Sequence, residues 1–506
     1  MSKRIACLLL VAVLVLTSSG MLAYARQPDR TYTYESTESE KLSPAPSTNV
    51  YRVKKIIDET VMGCTRMTEP SDLFVDDSDR TFILDAGNAR VLILDQDYRC
   101  IKELKDFNYE GQTVNLAVGA KGLFYRESNQ YLYIADTENN RILVSDLDGN
   151  ISKIYGKPVD ELLDPKSEYK PKKIIVDNMG IMYVTSGTVN TGAMMMDVNN
   201  TFLGFYGTGK LKLTDAMKME YFWRSILPKA MIEKSGVTHQ PVEYYNLFWS
   251  EDRFVYAVSP IADKMEAAVV KMNALGDNII VNNANFVNIE KNSNAVVLSA
   301  TSLSTSALKN TTLYLADLTV DKNGAYTVLD MRTGRMFRFD ENGNLLAIFG
   351  GIGYQKGLFT RPGSIECDSQ NNLLVLDEAK ATITVMEQTY YGQMIETANR
   401  LYNEGRYVDS IEPWMDVLRM NANYIQAFVG LGKAYLAMED YEQAMEFFKN
   451  GKDKDGYAEA KAALRDDIVR EYFGLIAAIV ILAMIFILGY DQIKLLFFRL
   501  YWRIRK

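Results

Sequence analysis

The sequence predicts a multidomain chain, with an all-β six-bladed propeller over residues 50–389, an all-α segment over residues 390–470 and one transmembrane helix over residues 472–490. Three observations support this prediction. Short strand-and-turn units recur with a period of about 40 to 50 residues, which is typical of propeller blades. After Met386 the apolar residues recur at helical spacing. Residues 472–490 include no charged side chain.

The repeated unit begins with a short apolar strand that leads into an Asp-led turn, as in residues 70–76, 170–177 and 361–368. A second strand ends at an aspartate, a third strand starts after an arginine, and a fourth strand ends at a glycine. The third and fourth units diverge most from this order. The units centre near six residues, which predicts six blades: Val75, Leu123, Val176, Phe248, Val320 and Ile365.

Residues 82–93 and 133–144 resemble the core motif of NHL-repeat propellers. The match is partial in the sixth unit, where Thr382 replaces the arginine, and it is lost in the third unit at residues 188–192. We interpret the polar motif residues as structural, because Asp and Asn can bind nearby backbone and Arg can bridge to a neighbouring blade. These residues are Asp85, Asn88, Arg90, Asp136, Asn139, Arg141, Asp330 and Arg335.

The sixth unit has only three strands before the chain turns helical, whereas residues 50–57 form a strand that belongs to no other unit. An unpaired sheet edge invites aggregation. We therefore predict that residues 50–57 pair as the outer strand of blade six and close the ring without covalent help. Residues 26–49, which are rich in Ser, Thr, Glu and Pro, are predicted to be a disordered leader.

Two insertions interrupt the repeats. Residues 210–236 show helical spacing with Thr214 as an N-cap, and residues 282–312 are rich in Asn, Ser and Thr. Long loops on a rigid scaffold often carry function. The alternative is that these insertions cover a blade edge.

The helical segment resembles two tetratricopeptide repeats over residues 391–450, followed by a closing helix over 457–470. Small residues at Gly430 and Gly432 would let the helices approach closely. The resemblance implies an inner groove that binds an extended protein or peptide partner. The groove residues that the family geometry implies are Asn399, Tyr402, Asn403, Gln426 and Lys433.

The two ends of the chain predict its location. Residues 1–25 have the charged start, short apolar run and Ala-Tyr-Ala site of a signal peptide, with an uncleaved signal anchor as the alternative. Basic residues follow the transmembrane helix, and positive charge marks the cytoplasmic side. We therefore expect a single-pass type I protein of the cell membrane, with the propeller and the helical segment outside the cytoplasm and the C-terminus inside.

The basic tail, residues 491–506, carries an amphipathic stripe that includes Leu496 and Leu500. We expect the tail to lie along the inner membrane surface, where its arginines contact lipid, with Asp491 and Gln492 as a weak break from the transmembrane helix. The alternatives are that it continues the transmembrane helix or packs against the transmembrane helices of a partner.

Several classes of chemistry find no support in the sequence. The net charge is −8, so an acidic body argues against a nucleic-acid partner. The single histidine, His239, cannot form a multi-histidine zinc site, and no phosphate-binding loop or nucleophile motif occurs. We predict no catalytic residues, no metal and no cofactor. A bridge between Cys64 and Cys100 is left open.

These features predict a membrane-anchored, extracytoplasmic binding or scaffold protein that is not an enzyme and recognises a protein, a peptide or a glycan. It resembles NHL–tetratricopeptide membrane proteins of Gram-positive bacteria that are associated with sugar uptake systems. The alternative is a metal-dependent propeller hydrolase similar to lactonases. A eukaryotic adhesion ectodomain would use Asn199 and Asn310 as glycosylation sites, but the few cysteines argue against it.

Overall fold

The computed structural model describes residues 32–36, 42–161, 163, 165–187, 192–207, 244–250, 252–259, 269–280 and 314–504, with side chains from residue 47 onward. The predicted signal peptide, the two insertions, Asn310, His239 and residues 188–191 lie outside this description. The chain divides into two compact units, residues 1–396 and residues 397–506.

The first unit consists of short antiparallel strands. In chain order the strands are β1 (Tyr32–Ser36), β2 (Leu42–Pro46), β3 (Tyr51–Ile57), β4 (Asp72–Val75), β5 (Thr81–Asp85), β6 (Arg90–Leu94), β7 (Cys100–Leu104), β8 (Asp106–Tyr109), β9 (Gln112–Asn115), β10 (Gly122–Arg126), β11 (Tyr131–Asp136), β12 (Arg141–Ser145), β13 (Ile151–Tyr155), β14 (Pro171–Val176), β15 (Met182–Ser186), β16 (Ala193–Met196), β17 (Phe202–Tyr206), β18 (Asn246–Trp249), β19 (Val255–Val258), β20 (Val269–Met272), β21 (Leu315–Val320), β22 (Tyr326–Asp330), β23 (Arg335–Phe339), β24 (Leu345–Gly350), β25 (Pro362–Cys367), β26 (Leu373–Asp377) and β27 (Thr382–Gln388).

These strands form a six-bladed β-propeller. Strands β4–β7 form blade 1, β10–β13 blade 2, β14–β17 blade 3, β18–β20 blade 4, β21–β24 blade 5, and β25–β27 with β3 blade 6. The innermost strands contact one another around the ring in the order β4, β10, β14, β18, β21, β25 and back to β4. All six predicted unit centres lie on these innermost strands. The prediction of six blades is confirmed.

The ring closes as the sequence predicts. Strand β3 pairs antiparallel with β27, from Ile57 opposite Ile383 to Tyr51 opposite Gln388, and it is the outer strand of blade 6. Ile57 is fully buried, and the ring of Tyr51 stacks on Phe349 of blade 5 with centroids 5.0 Å apart. The N-terminal strand is therefore held by a hydrogen-bonded ladder and by apolar burial.

Three local features differ from the expectation. The segment predicted to be a disordered leader includes a β-hairpin, β1–β2, and Tyr32 of this hairpin pairs with Ile348 at the edge of blade 5. A second hairpin, β8–β9, lies between blades 1 and 2. In blade 4 the described residues form three strands, and after β20 they add a single bridge between Met272 and Asn278.

Among the described residues, a short helix α1 (Glu59–Met62) lies between β3 and β4, and the other α-helices follow blade 6. They are α2 (Tyr390–Asn403), α3 (Tyr407–Met420), α4 (Ile425–Ala437), α5 (Tyr441–Asn450) and α6 (Lys454–Ile504). Helix α2 begins at the predicted boundary. Close packing of α3 and α4 needs a glycine, because a Cβ atom at Gly430 would lie 2.6 Å from the Trp414 indole.

Helix α6 is continuous over 51 residues, a length of roughly 75 Å at 1.5 Å per residue. It includes the predicted closing helix, the apolar stretch and the tail as far as Ile504. Its apolar part is long and apolar enough to cross a membrane once. Neither Asp491 nor Gln492, which form only a weak break in the sequence, interrupts the helix. The tail continues the helix, as in the alternative interpretation.

Candidate functional site

The polar motif residues of the repeats lie where the second strand of a blade meets the third. In blade 1, Asp85 accepts hydrogen bonds from the Thr68 backbone N–H at 2.7 Å, from Asn88 at 2.8 Å and from Arg90 at 2.7 Å. Asp85 is fully buried. The carboxylate therefore joins the incoming connector to the turn of its own blade.

Blades 2 and 5 repeat this arrangement in part. Asp136 accepts from the Ala117 N–H at 2.9 Å, and from Asn139 and Arg141 at 2.8 Å each. In blade 5, Asp330 accepts from the Tyr314 N–H at 2.9 Å, and Arg335 stands opposite it in the strand register.

Arg90 and Arg141 contact the connector that enters their own blade. The sequence pattern instead predicted a contact with a neighbouring blade. Arg90 donates to the Thr65 carbonyl at 2.8 Å, and Arg141 donates to the Asn115 carbonyl at 2.9 Å.

The predicted groove residues lie on two helices. Asn399, Tyr402 and Asn403 lie on α2, and Gln426 and Lys433 lie on α4. Asn403 and Lys433 are exposed, and the other three are partly buried. The Tyr402 ring packs against Tyr407 at 5.3 Å, and Gln426 accepts a hydrogen bond from the Tyr424 hydroxyl at 2.8 Å.

A cavity of about 850 Å³ opens at one end of the propeller channel. We call this end the mouth. It is formed by the ends of the innermost strands and the turns after them, so all six blades contribute. Its lining includes residues 74–77, 124–128, 175, 178, 247–250, 320–324 and 366–369, together with Lys173, Asp252 and Glu341. This volume is in the range of small-ligand sites.

A repeated sequence position builds the interior of the channel. One position near the start of the innermost strand, four residues before the residue that opens the following turn, is polar in five blades and glycine in blade 2. These residues are Asp72, Gly122, Lys173, Asn246, Asp317 and Ser364. A Cβ atom at Gly122 would lie 2.3 Å from the Lys172 carbonyl oxygen, so blade 2 needs a glycine there. This repeat was the signal in the sequence that could have located the channel.

These residues form a buried network, here called the channel cluster: Asp72, Lys173, Asn246, Asp317, Ser364 and Glu366. The Lys173 ammonium lies 2.8 Å from both carboxylate oxygens of Asp72. Ser364 donates to Asp317 at 2.7 Å, and Asn246 donates to Asp317 at 2.6 Å. Each charge therefore has an ionic or hydrogen-bonding partner, as burial requires.

Burial changes the proton affinity of the channel cluster. Desolvation raises the pKa of Asp317 to about 6, although Lys173 opposes the change. Desolvation and the neighbouring Asp317 also raise the pKa of Glu366 well above its usual range. Glu366 accepts a hydrogen bond from Thr319 at 3.2 Å and lines the mouth. A protonated Glu366 would present a hydrogen-bond donor there.

The mouth has an aromatic side. In blades 1, 2 and 4 a phenylalanine stands two residues after the repeated channel position. These residues are Phe74, Phe124 and Phe248, and Trp249 follows in blade 4. The Arg126 guanidinium lies 6.0 Å from the centre of the Trp249 ring, which is a cation–π distance. The mouth thus already stacks one cationic group of the chain on an aromatic ring.

The mouth is also acidic, and among the described residues its lining has eight carboxylates and three basic side chains. Three of the carboxylates organise turns: Asp76, Asp321 and Asp368 each accept backbone N–H groups two and four residues later. Asp77 and Glu127 come from the turns of adjacent blades. Burial and the neighbouring Asp77 carboxyl raise the pKa of Glu127.

Among the described residues, no group of three or more His, Cys, Asp or Glu side chains has an arrangement that could hold a metal ion. Cys64, Cys100 and Cys367 are free thiols. The bridge that the sequence left open between Cys64 and Cys100 is therefore not formed in this structure.

The fold and the mouth define the class: a six-bladed β-propeller protein with a helical C-terminal segment and one candidate membrane-spanning helix. No family model and no curated protein matches the chain. Among solved structures, a Bacteroides thetaiotaomicron protein of unknown function is similar at 12% identity and a TM-score of 0.40, over 71% of this chain and 76% of that chain.

Two enzymes are similar at the same level. A gluconolactonase from Xanthomonas campestris is 13% identical with a TM-score of 0.38, over 72% of this chain and 99% of that chain. Virginiamycin B lyase from Staphylococcus aureus is 11% identical with a TM-score of 0.35, over 64% of this chain and 81% of that chain. At these values the likeness concerns the propeller fold alone.

Proposed function

We propose that this chain is a membrane-anchored, extracytoplasmic binding or scaffold protein. Its ligand would be a protein, peptide or glycan that places a positively charged group in the mouth. The observation that carries the proposal is the composition of the mouth, where carboxylates outnumber basic side chains and lie beside an aromatic wall. Such a site attracts an ammonium or guanidinium group by charge and by cation–π contact.

The pair Asp77 and Glu127 supports a cationic ligand. Their proximity is unfavourable while both are ionised, and a bound cation would relieve the repulsion. Several other lining carboxylates already hold backbone N–H groups in turns, which favours a rigid binding surface. The helical segment would add a second surface, which resembles a tetratricopeptide groove.

The mouth can be tested with the full-length protein in lipid nanodiscs. We expect the double substitution Asp77→Asn and Glu127→Gln to weaken binding of tetralysine or of a glucosamine tetramer by about tenfold or more, because it removes two carboxylates that attract a cationic probe. A tenfold loss corresponds to ~1.4 kcal/mol of lost attraction. Titration calorimetry measures the affinity, and a thermal melt checks folding. Comparison of the two probes separates a peptide amine from an amino sugar.

The matched control is Glu138→Gln with Asp148→Asn, which removes the same two charges from exposed surface positions of blade 2. This control should bind as the unchanged protein does. Equal binding by the mouth variant and the control would contradict a cationic ligand at Asp77 and Glu127. Tight binding of the uncharged N-acetylated tetramer would point to a neutral glycan instead.

The proposed orientation predicts a protease result. A protease added outside intact protoplasts should digest the residues before Tyr472 and leave a membrane-protected C-terminal fragment, because the basic residues after the apolar stretch favour the cytoplasmic side. Immunoblotting with antibodies against the propeller and the tail measures this. Protoplasts lysed with detergent provide the control. A protected propeller with a digested tail would reverse the orientation.

The proposed groove also predicts a result. Substituting Asn399→Ala and Lys433→Ala together should lower recovery of a protein partner from native membranes several-fold while the melting temperature stays unchanged. The control is Lys449→Ala with Asn450→Ala, an exposed pair on α5. Unchanged recovery in the groove variant would mean that the helices act only as a spacer.

A further inference from the structure

Two cysteines stand at the junction between the ring-closing strand and blade 1. Cys64 follows α1 in the connector from β3 to β4, and Cys100 begins β7, the outer strand of blade 1. Both are partly buried and pack against one apolar cluster, which also includes Ile57 and Met62. The junction therefore places two thiols from separate segments against the same part of the core.

Arg90 holds the two segments together. One of its guanidinium nitrogens, Nη1, lies 2.5 Å from the Thr65 hydroxyl and 3.0 Å from a carboxylate oxygen of Glu103. Thr65 is next to Cys64, and Glu103 lies on the same strand as Cys100. Arg90 is itself buried and paired with Asp85.

The Cys100 thiol also influences the Cys64 thiol. Burial, followed by the neighbouring Cys100 thiol, raises the pKa of the Cys64 thiol to about 11. The Cys64 thiol is therefore protonated at neutral pH, whereas the thiolate is the reactive form of a cysteine. The third free thiol, Cys367, lies in blade 6 on β25 and has a separate environment.

We propose that Cys64 and Cys100 are a modification site, at which a disulfide oxidant converts the two thiols into an intramolecular disulfide. Two S–H bonds break and one S–S bond forms. The two electrons and two protons pass to a small disulfide such as glutathione disulfide, whose S–S bond breaks to give two thiols. This disulfide would form whatever ligand the mouth binds.

The bridge would fix the connector that follows β3 to the outer edge of blade 1. The closing strand ends at Ile57, seven positions before Cys64, and otherwise depends on noncovalent contacts. A disulfide across residues 64–100 restricts the unfolded chain. It would therefore strengthen the junction where the propeller ring is closed by its N-terminal segment.

The test uses the full-length protein in detergent, incubated with oxidised or reduced glutathione, then denatured and alkylated with N-ethylmaleimide. Peptide mass spectrometry of the oxidised sample should find the Cys64 peptide linked to the Cys100 peptide and Cys367 alkylated. The oxidised protein should melt roughly 5 °C above the reduced protein. This difference should vanish in Cys64→Ser and Cys100→Ser and persist in Cys367→Ser.

Alkylation of both Cys64 and Cys100 after prolonged oxidation would overturn the proposal. Separate attachment of glutathione to each thiol, without a linked peptide, would overturn it as well. If either serine variant fails to fold, the linked peptide and the melting shift in the unchanged protein still decide the question.

Discussion

Deletion of residues 50–57 is expected to lower the melting temperature by more than 10 °C or to make the protein insoluble. The deletion removes β3, which supplies the outer strand of blade 6, and it removes the buried side chains of Tyr51 and Ile57. Strand β27 would then present an unpaired edge, which promotes aggregation. The soluble fraction and a thermal melt followed by circular dichroism measure the result.

The matched control is deletion of residues 32–46, the hairpin that extends blade 5. Blade 5 keeps four strands without this hairpin, so its loss should lower the melting temperature by only a few degrees. A protein without residues 50–57 that melts like the unchanged protein would show that the ring closes in another way.

Substitution of Arg338→Met is expected to destabilise the propeller by about 3 to 5 kcal/mol, which is typical when one partner of a buried ion pair is removed. Arg338 is 2% exposed and forms an ion pair with Asp321. It also donates to Glu396 at 2.9 Å and to Thr327 at 3.0 Å. Methionine would leave the buried Asp321 and the partly buried Glu396 without this cation.

Urea unfolding measures this free energy. The control is Arg52→Met on β3, because Arg52 pairs with Glu387 at 2.7 Å but its side chain is 70% exposed. Loss of such a surface pair should cost less than about 1 kcal/mol. Adding Glu396→Gln to Arg338→Met should restore part of the stability, since it removes one uncompensated charge. Equal effects of Arg338→Met and Arg52→Met would contradict the proposed role of the buried pair.

The features predicted correctly all have a local pattern in the sequence. Each blade repeats its strands and turns within a short stretch, so the six units could be counted from the amino-acid sequence. The closing strand was predictable by elimination, because residues 50–57 had strand character and blade 6 lacked a strand. The apolar stretch before Tyr490 satisfies the length of a membrane span by itself.

The repeats show which positions form the channel cluster, but they do not show which of these side chains contact one another. Asp72, Lys173, Asp317 and Ser364 occupy the same place in their units, so a polar channel interior could have been predicted. The specific contacts could not, because Lys173 and Asp72 are 101 positions apart and belong to blades that flank a third. The neighbour of each polar side chain is set by the radial arrangement of the blades.

The sequence by itself determined the number of blades, the closing strand and the apolar helix, because these depend on short-range periodicity and on unpaired strands. Only the tertiary structure decided which charges meet. It brought Arg338 to Asp321 and Glu396, placed Cys64 near Cys100, and set Asp77 beside Glu127 at the mouth. The contacts of Arg338 with Glu396 and of Asp77 with Glu127 join separate repeats or segments, so no single repeat carries a signature of them.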